Sequence, residues 1–547
     1  MTTQGPTADG PPGGEGRVPF IFRIGVTGHR KLADPASLIP AIHDAVRGLM
    51  ERLLGVAGTQ PRLLIISALA EGADRLVATE LLVESGAELE AALPLPREDY
   101  LGDFESEDSK REFTDLLDRA SAVWQASTSE SREEAYEKAG RYVVDHADAV
   151  IALWDGEPPR GRGGTATVVE YARERRVPLA WVPTAGRPVP AYLLDPQRAD
   201  DIKEAVRELR EYNAVAIPDF PFRVSLERTR LEPGDAADGH PDSIRQEREN
   251  VAAWIVSYFV RADVLASRLE RRFKAMSAAM FLAAAAAVTV VAAQVTFAPQ
   301  LHWIVAAEVV LLLFLLGAPL VSRRQRLLDR WISYRFLAER LRSSYFLALA
   351  GTGDRKERPT REAYLSDPSE AWIRRALTEI MGRRPDVRIG SAGVAALRHY
   401  LSDCWIGGQV HYHEATARRR GAWENRLLVV TSVLFGITLV AAVLHLLGLG
   451  EHGEHPSEWG LVLVVLSICV PAIGAAVHGI RAQSQFRRHC QRSTRMAGML
   501  ERLESDMSRA HSLEEIREVA AATERLMREE NNDWFGVMRF HDMELIT

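Results

Sequence analysis

MSAAMFLAAAAAVTVVAAQVTF, residues 276–297, is an unbroken apolar run. Roughly 20 such residues in a helix cover the ~30 Å hydrocarbon core of a bilayer. Three further runs match it: Trp303 to Val321, Leu427 to Leu447 and Trp459 to Val477. Buried helices of a large soluble protein are the alternative, and the flanking charges argue against it. Arg271, Arg272 and Lys274 precede the first run, and Arg323, Arg324 and Arg326 follow the second. Arg418, Arg419, Arg420 and Arg426 precede the third, and Arg481, Arg487 and Arg488 follow the fourth. The connections Ala298–Leu301 and Gly450–Glu458 lack that excess. The positive-inside rule then predicts two outward-reaching hairpins with both termini in the cytoplasm. No signal peptide is expected, and residues 1–18, rich in Gly and Pro, are expected to be disordered.

Composition fits a membrane-bound cytoplasmic protein. The net charge is −7, so no general affinity for nucleic acid is expected. The basic residues gather beside the apolar runs, where they set orientation and meet anionic lipid. Cys404, Cys469 and Cys490 form no CxxC pair and no zinc set, which suits a reducing compartment and predicts no metal site.

The N-terminal half alternates strands and helices. Phe20–Thr27, Arg62–Leu69, Leu89–Leu95, Ala122–Gln125, Ala149–Trp154 and Val177–Val182 read as strands. Amphipathic helices are expected at about 36–54, 73–85, from Ser106, at 132–146 and at 166–175. This order predicts an α/β, Rossmann-like parallel sheet, with ligands bound at the carboxyl ends of its strands.

The unusual residues lie at those ends. The first strand runs into Gly25-Val26-Thr27-Gly28-His29-Arg30, where glycines admit a phosphate and Arg30 adds charge. A tight turn with a surface arginine would read the same way. The second strand leads to Ser67-Ala68-Leu69-Ala70-Glu71-Gly72-Ala73-Asp74-Arg75, a helix opening that favours an anion. An ordinary helix start, with Asp74 complementing the dipole, is the alternative. After Trp154-Asp155 comes Gly161-Arg162-Gly163-Gly164-Thr165-Ala166-Thr167-Val168-Val169-Glu170. Its glycines would cradle phosphate and Glu170 would grip a ribose, against a plain loop with a capping threonine.

Gly163-Gly164-Thr165-Ala166-Thr167-x-x-Glu170 resembles the PGGxGTxxE signature of the LOG phosphoribohydrolases, without its proline and with Ala166 for a glycine. With GVTGHR and SALAEGADR, residues 20–184 are similar to the broader SLOG superfamily of Rossmann-like nucleotide-binding domains. The resemblance implies a nucleotide or cyclic or ADP-ribose-type ligand rather than a resident cofactor. In a LOG-type enzyme Glu170 would be the catalytic glutamate, with Arg75 or Arg162 as candidates for its arginine partner.

The C-terminal half reads as one unit used twice, each with a basic helix, two spans and an outgoing helix. The outgoing pieces Leu337-Ala338-Glu339-Arg340-Leu341 and Met499-Leu500-Glu501-Arg502-Leu503 look alike, as chance would also allow in helices rich in Leu, Glu and Arg. This half, with Trp405-Ile406-Gly407-Gly408-Gln409 and Glu530 to Trp534, resembles SLATT domains, two-span effectors of bacterial conflict systems. Gln294 and Glu308 are candidate pore residues, since an ionisable group in a span should face protein or water. Snorkelling to the outer headgroups would also place Glu308. The segmentation expected is 19–185 for the nucleotide-binding domain, 186–242 for a linker, and 243–375 and 376–547 for two helical units. A helix should run from about Ser243 into the first span.

Three functions fit. A nucleotide signal could trigger a homo-oligomeric pore or membrane disruption in the inner membrane of a bacterium, as antiphage defence. The chain could instead be a tethered nucleotide N-glycosidase acting through Glu170, or a housekeeping nucleotide-regulated channel.

Overall fold

A computed structural model of the chain describes residues 14–55, 61–126, 131–158, 163–232, 243–352, 371–447, 451–452, 455–456 and 458–539. The chain forms two compact units. One comprises Met1–Pro218 with Asp354–Arg384, the other Asp219–Gly353 with Pro385–Thr547. The chain therefore crosses between units three times.

The first unit holds a seven-stranded sheet of β1 (Ile21–Gly28), β2 (Arg62–Ser67), β3 (Glu88–Leu93), β4 (Ala122–Gln125), β5 (Ala149–Trp154), β6 (Leu179–Pro183) and β7 (Ala191–Leu193). Their order is β4-β3-β2-β1-β5-β6-β7, parallel except for the short β7, which runs against β6. Every residue of β5 is buried, as expected of a strand covered on both faces. The edge strand β4 alternates half-buried and exposed side chains. Helices α1 (Pro35–Leu54), α2 (Ala73–Ser85), α3 (Arg97–Leu101), α4 (Glu107–Asp118), α5 (Arg132–His146) and α6 (Thr165–Glu174) connect the strands. The strand and helix positions follow the sequence reading closely. The turn α3 and the strand β7 are additions to it.

Two more helices complete this unit. α7 (Pro196–Ala214) lies in the stretch read as a linker, yet Asn213 exchanges hydrogen bonds with both the N–H and C=O of Val18, at 3.0 and 2.8 Å. A helix at Ala371–Met381, α12 in chain order, returns from far along the chain. It buries Trp372, Ile373, Ala376, Leu377 and Ile380, and Trp372 lies against Tyr212 of α7. Two ion pairs fix it. Arg23 of β1 pairs with Glu379, which is 3% exposed, and Arg375 pairs with Asp148 while donating to the carbonyl of Ile21 at 2.7 Å. The boundary at residue 375 thus cuts through α12, which belongs with the sheet.

The second unit is helical. After α8 (Phe220–Arg230), α9 (Arg245–Phe297) is continuous over 53 residues, about 80 Å at 1.5 Å per residue. α10 (Ile304–Gln325) returns beside it, and α11 (Leu327–Ala350) follows. The second half repeats the plan with α13 (Val394–Tyr400), α14 (Gly408–Leu446), α15 (Glu458–Ser484), α16 (Phe486–Arg509) and α17 (Leu513–Arg539). A π-helical turn at Leu401–Gly407 joins α13 to α14, with Trp405 stacked on Phe346. Among the described residues four helices are long and apolar enough to cross a membrane.

The repeat is visible in the backbone. Arg326 ends α10 and Gln485 ends α15, both in the left-handed conformation that non-glycine residues rarely adopt. Each is followed by a helix of 24 residues. Pairing Arg326 with Gln485 places the buried Leu337, Ala338 and Leu341 on the buried Met496, Ala497 and Leu500. The LAERL-to-MLERL pairing read from sequence is displaced by nearly a turn. Burial sets the register, whereas Leu, Glu and Arg recur on any amphipathic helix.

Among the described residues the four apolar helices form a row. α10 packs on α9, α9 on α15, and α15 on α14, with no comparable packing of α10 on α14. The apolar windows of the inner α9 and α15 are 33% and 22% buried, against 11% and 6% for the outer α10 and α14.

Glu379→Ala should strip Arg23 of its buried partner at a cost of about 3 kcal/mol. Trypsin cleavage at Arg374 and Arg375, quantified by mass spectrometry, should then accelerate. Unchanged cleavage would mean that apolar burial alone holds α12.

Candidate functional site

The sheet order reverses between β1 and β5. Chains leaving their carboxyl ends diverge to opposite sides and open a crevice. Gly28 pairs with Leu153 at this point. The cavity there has a volume of about 310 Å³.

Close packing shapes its floor. A side chain on Gly28 would sit 2.3 Å from Cβ of Ala73, and one on Gly72, at φ +80°, would sit 2.3 Å from the carbonyl oxygen of Arg30. The N–H of Ala73 donates to the carbonyl of His29 at 3.0 Å, which closes part of the N-terminus of α2. The N-terminus of α6 is the open one. Its cap, Gly164, offers no side chain, and Gly164, Thr165 and Ala166 line the crevice. The helix dipole favours an anion at such a terminus. Gly163 takes φ +75° against α5, where a side chain would meet Cβ of Tyr136 at 2.8 Å.

The polar groups divide by role. Thr27, Arg30, Asp74 and Asp155 line the cavity. Arg30 lies 5.4 Å from the centre of the Tyr136 ring, with no carboxylate partner among the described residues. His29 Nε2 sits 3.0 Å from both the Asp155 N–H and its Oδ1. Asp74 is buried and accepts from the Ser67 hydroxyl at 3.1 Å. Burial raises its pKa to about 7, against the opposing hydrogen bonds from Ser67 and Ala70 and the charge of Arg30. The Tyr100 hydroxyl is buried without a hydrogen-bond partner among the described residues, and Tyr100 lines the crevice. An unmade bond at a buried hydroxyl costs about 1–3 kcal/mol unless a ligand or water supplies it.

Several residues singled out in the sequence do not reach the crevice. Gly25 packs on α5, with Cγ1 of Val143 2.9 Å from where its Cβ would be. Ser67 acts through Asp74. Arg75 is 1% exposed and points into the core. Its Nε donates to the carbonyl of Leu69 at 3.0 Å, its Nη1 reaches Ser109, and Phe104 lies 4.3 Å from its guanidinium. Thr167 and Glu170 open onto a separate hollow between α5 and α6, shared with Glu137 and Arg141. Glu170 lines this hollow while Arg75 is held in the core, so no Glu170–Arg75 pair is formed among the described residues. Arg162 lies outside the described residues.

His29, Tyr100, Tyr136 and Glu157 were not among the sequence candidates, yet they line the cavity. His29 stands inside the quoted GVTGHR stretch. The tyrosines gave no local signal, since they arrive on helices from other parts of the chain.

The candidate pore residues sit on the first hairpin. Glu308 is half-buried and falls on the stripe Ile304, Leu311, Leu315, Ala318 and Ser322 that α10 turns inward. Gln294 lies within the last turn of α9, at a similar distance from the hairpin tip.

Neither a family model nor a curated protein sequence matches this chain. The crevice geometry therefore carries the functional argument.

Gly164→Asp should cap α6 itself and leave folding intact. It should weaken binding of inorganic pyrophosphate at least about tenfold, or ~1.4 kcal/mol, by calorimetry. Equal affinity would remove the α6 terminus from the site. Asp74 gives a second expectation. Its folded pKa is raised, so the stability tied to its protonated form is present at low pH and lost as pH rises towards 7. Pyrophosphate affinity should fall in the same window as Asp74 ionises, and Asp74→Asn should flatten the profile. A parent profile already flat between about pH 6 and 8 would place Asp74 outside the site.

Proposed function

We propose that this chain is a ligand-controlled membrane effector. A phosphate-bearing nucleotide occupies the crevice, and the four apolar helices act in a bilayer. The observation that carries this reading is the juxtaposition in one chain of an anion-ready crevice and four apolar helices. The crevice combines an α6 whose cap residue Gly164 has no side chain, Arg30 without a salt-bridge partner among the described residues, and a Tyr100 hydroxyl without a hydrogen-bond partner among them. The sequence resemblance to SLOG and SLATT proteins points the same way. It adds the bacterial inner membrane, cytoplasmic termini and antiphage defence to the proposal.

The open row of helices supports a homo-oligomer. The repeat makes the α9–α15 contact the counterpart of an α14–α10 contact, and no comparable α14–α10 packing is present among the described residues. A neighbouring copy supplies it head to tail, and a row that closes on itself becomes a ring. Val310 and Val440 are exposed on the outer helices, 64% and 57% accessible, at similar depths from the hairpin tips. With Cys404, Cys469 and Cys490 replaced by Ala, Val310→Cys/Val440→Cys should give an oxidised ladder beyond dimers in liposomes. Either single variant should stop at dimers. A monomer in every case would contradict the oligomer and reduce the helices to a tether.

An enzymatic reading draws on Asp74 rather than Glu170. A buried carboxyl with pKa about 7 beside Arg30 is suited to general acid–base work. Free base released from adenosine monophosphate by the parent protein, and lost in Asp74→Asn, would favour a nucleotide N-glycosidase over a sensor. Either assay requires the full chain, because residues 19–185 alone omit α7 and α12.

A further inference from the structure

The two repeats of the helical unit meet around a second cavity, of about 430 Å³. α9, α11, α14, α15, α16 and α17 all contribute to its wall. Five cationic side chains line it against three carboxylates. Most are paired: Lys274 with Glu270, Arg335 with Glu339, and Arg492 with Glu530 at 2.7 Å, while Arg342 shares Glu339 at 3.7 Å. Arg420 has no carboxylate partner among the described residues and lies over the Phe486 ring at 5.5 Å.

The same face of α14 carries two more unmatched groups. His413, Thr416 and Arg420 follow one another at helical spacing. His413 is only 9% exposed. Its Nδ1 and the Thr416 hydroxyl are both buried without a hydrogen-bond partner among the described residues. Burial, aided by Arg492 and Arg342 and opposed by Glu339, lowers the pKa of His413 to about 4. At neutral pH the ring is uncharged and can present one N–H. A cation, a hydroxyl and an imidazole on one helix face make a donor set for a phosphate oxygen cluster. The wall also carries polar side chains such as Gln409, Gln483 and Asn531, and an apolar set of Phe273, Ala278, Ile480 and Met496, of which Ala278 stands in the first turn of the 276–297 run. A ligand with a charged head and an apolar body matches both parts.

We propose that this cavity binds a phosphate-bearing anion through Arg420, Thr416 and His413, and that an anionic phospholipid headgroup supplies it. The lipid source rests on the membrane reading above. Flotation of the full chain with phosphatidylcholine vesicles tests that reading separately, since it does not depend on Arg420. For the site, the full chain is reconstituted in phosphatidylcholine nanodiscs with or without phosphatidylglycerol, extracted into mild detergent and weighed by native mass spectrometry. The parent should retain phosphatidylglycerol in preference to phosphatidylcholine. Arg420→Gln and the near-isosteric Thr416→Val, which should both fold, should each lower retention at least about tenfold. Equal retention by parent and variants, or no retention of any phosphate compound by the parent, overturns the proposal. Inorganic pyrophosphate is titrated in parallel. Arg420-dependent binding of pyrophosphate without retained lipid would support phosphate recognition and overturn the lipid source.

Discussion

Two ion pairs hold α12 against the sheet, and the path of the whole chain depends on them. Arg23 with Glu379 and Arg375 with Asp148 bring residues 371–381 back to the first unit between the two helical repeats. Removing one partner of such a buried pair leaves the other charge less compensated, at a cost of about 3 kcal/mol. Both helical repeats are therefore connected through a segment that the sheet itself holds. The anchors sit on the strands that build the crevice. β1 carries Arg23 and the Ile21 carbonyl near its start and Thr27 and Gly28 at its end. β5 is preceded by Asp148 and followed by Asp155. A pair of adjacent parallel strands thus has the ligand crevice at one end and the α12 anchor at the other. If the crevice binds a ligand as proposed, these two strands are the elements through which occupancy would reach α12.

Charge placement separates the two cavities. In the crevice the groups that would attract the proposed anion are a helix terminus and Arg30, and ionisation of Asp74 would oppose them. In the cavity of the helical unit most charges are paired, and Arg420, Thr416 and His413, without such partners among the described residues, share one face of α14. Among the described residues no group of three or more His, Cys, Asp or Glu side chains is placed to hold a metal ion.

Much of the sheet was legible in the sequence because parallel strands announce themselves as short continuous apolar runs. β4, β5 and α5 start and end where the runs do. The crevice was legible in outline, since glycines and polar residues cluster at strand ends. The direction of each side chain was not. Arg75 and Glu170 stand in motif-like stretches, but a helix turns through 100° per residue, and neighbouring positions face a core, a crevice or solvent. α12 carried a helical pattern in Trp372, Ile373, Ala376, Leu377 and Ile380, but its partners are hundreds of residues away. The helical repeat was legible in outline and displaced in register. Its true marks are two left-handed residues, Arg326 and Gln485, that no propensity reveals.

The central claim is that occupancy of the crevice is felt in the helical unit. Hydrogen exchange of the full chain in nanodiscs, with and without ADP-ribose as the probe, tests it most directly. The account predicts slower exchange at residues 164–168, accompanied by altered exchange at 371–381 and in α9. Protection of the crevice alone, with α12 and α9 unchanged, would contradict it.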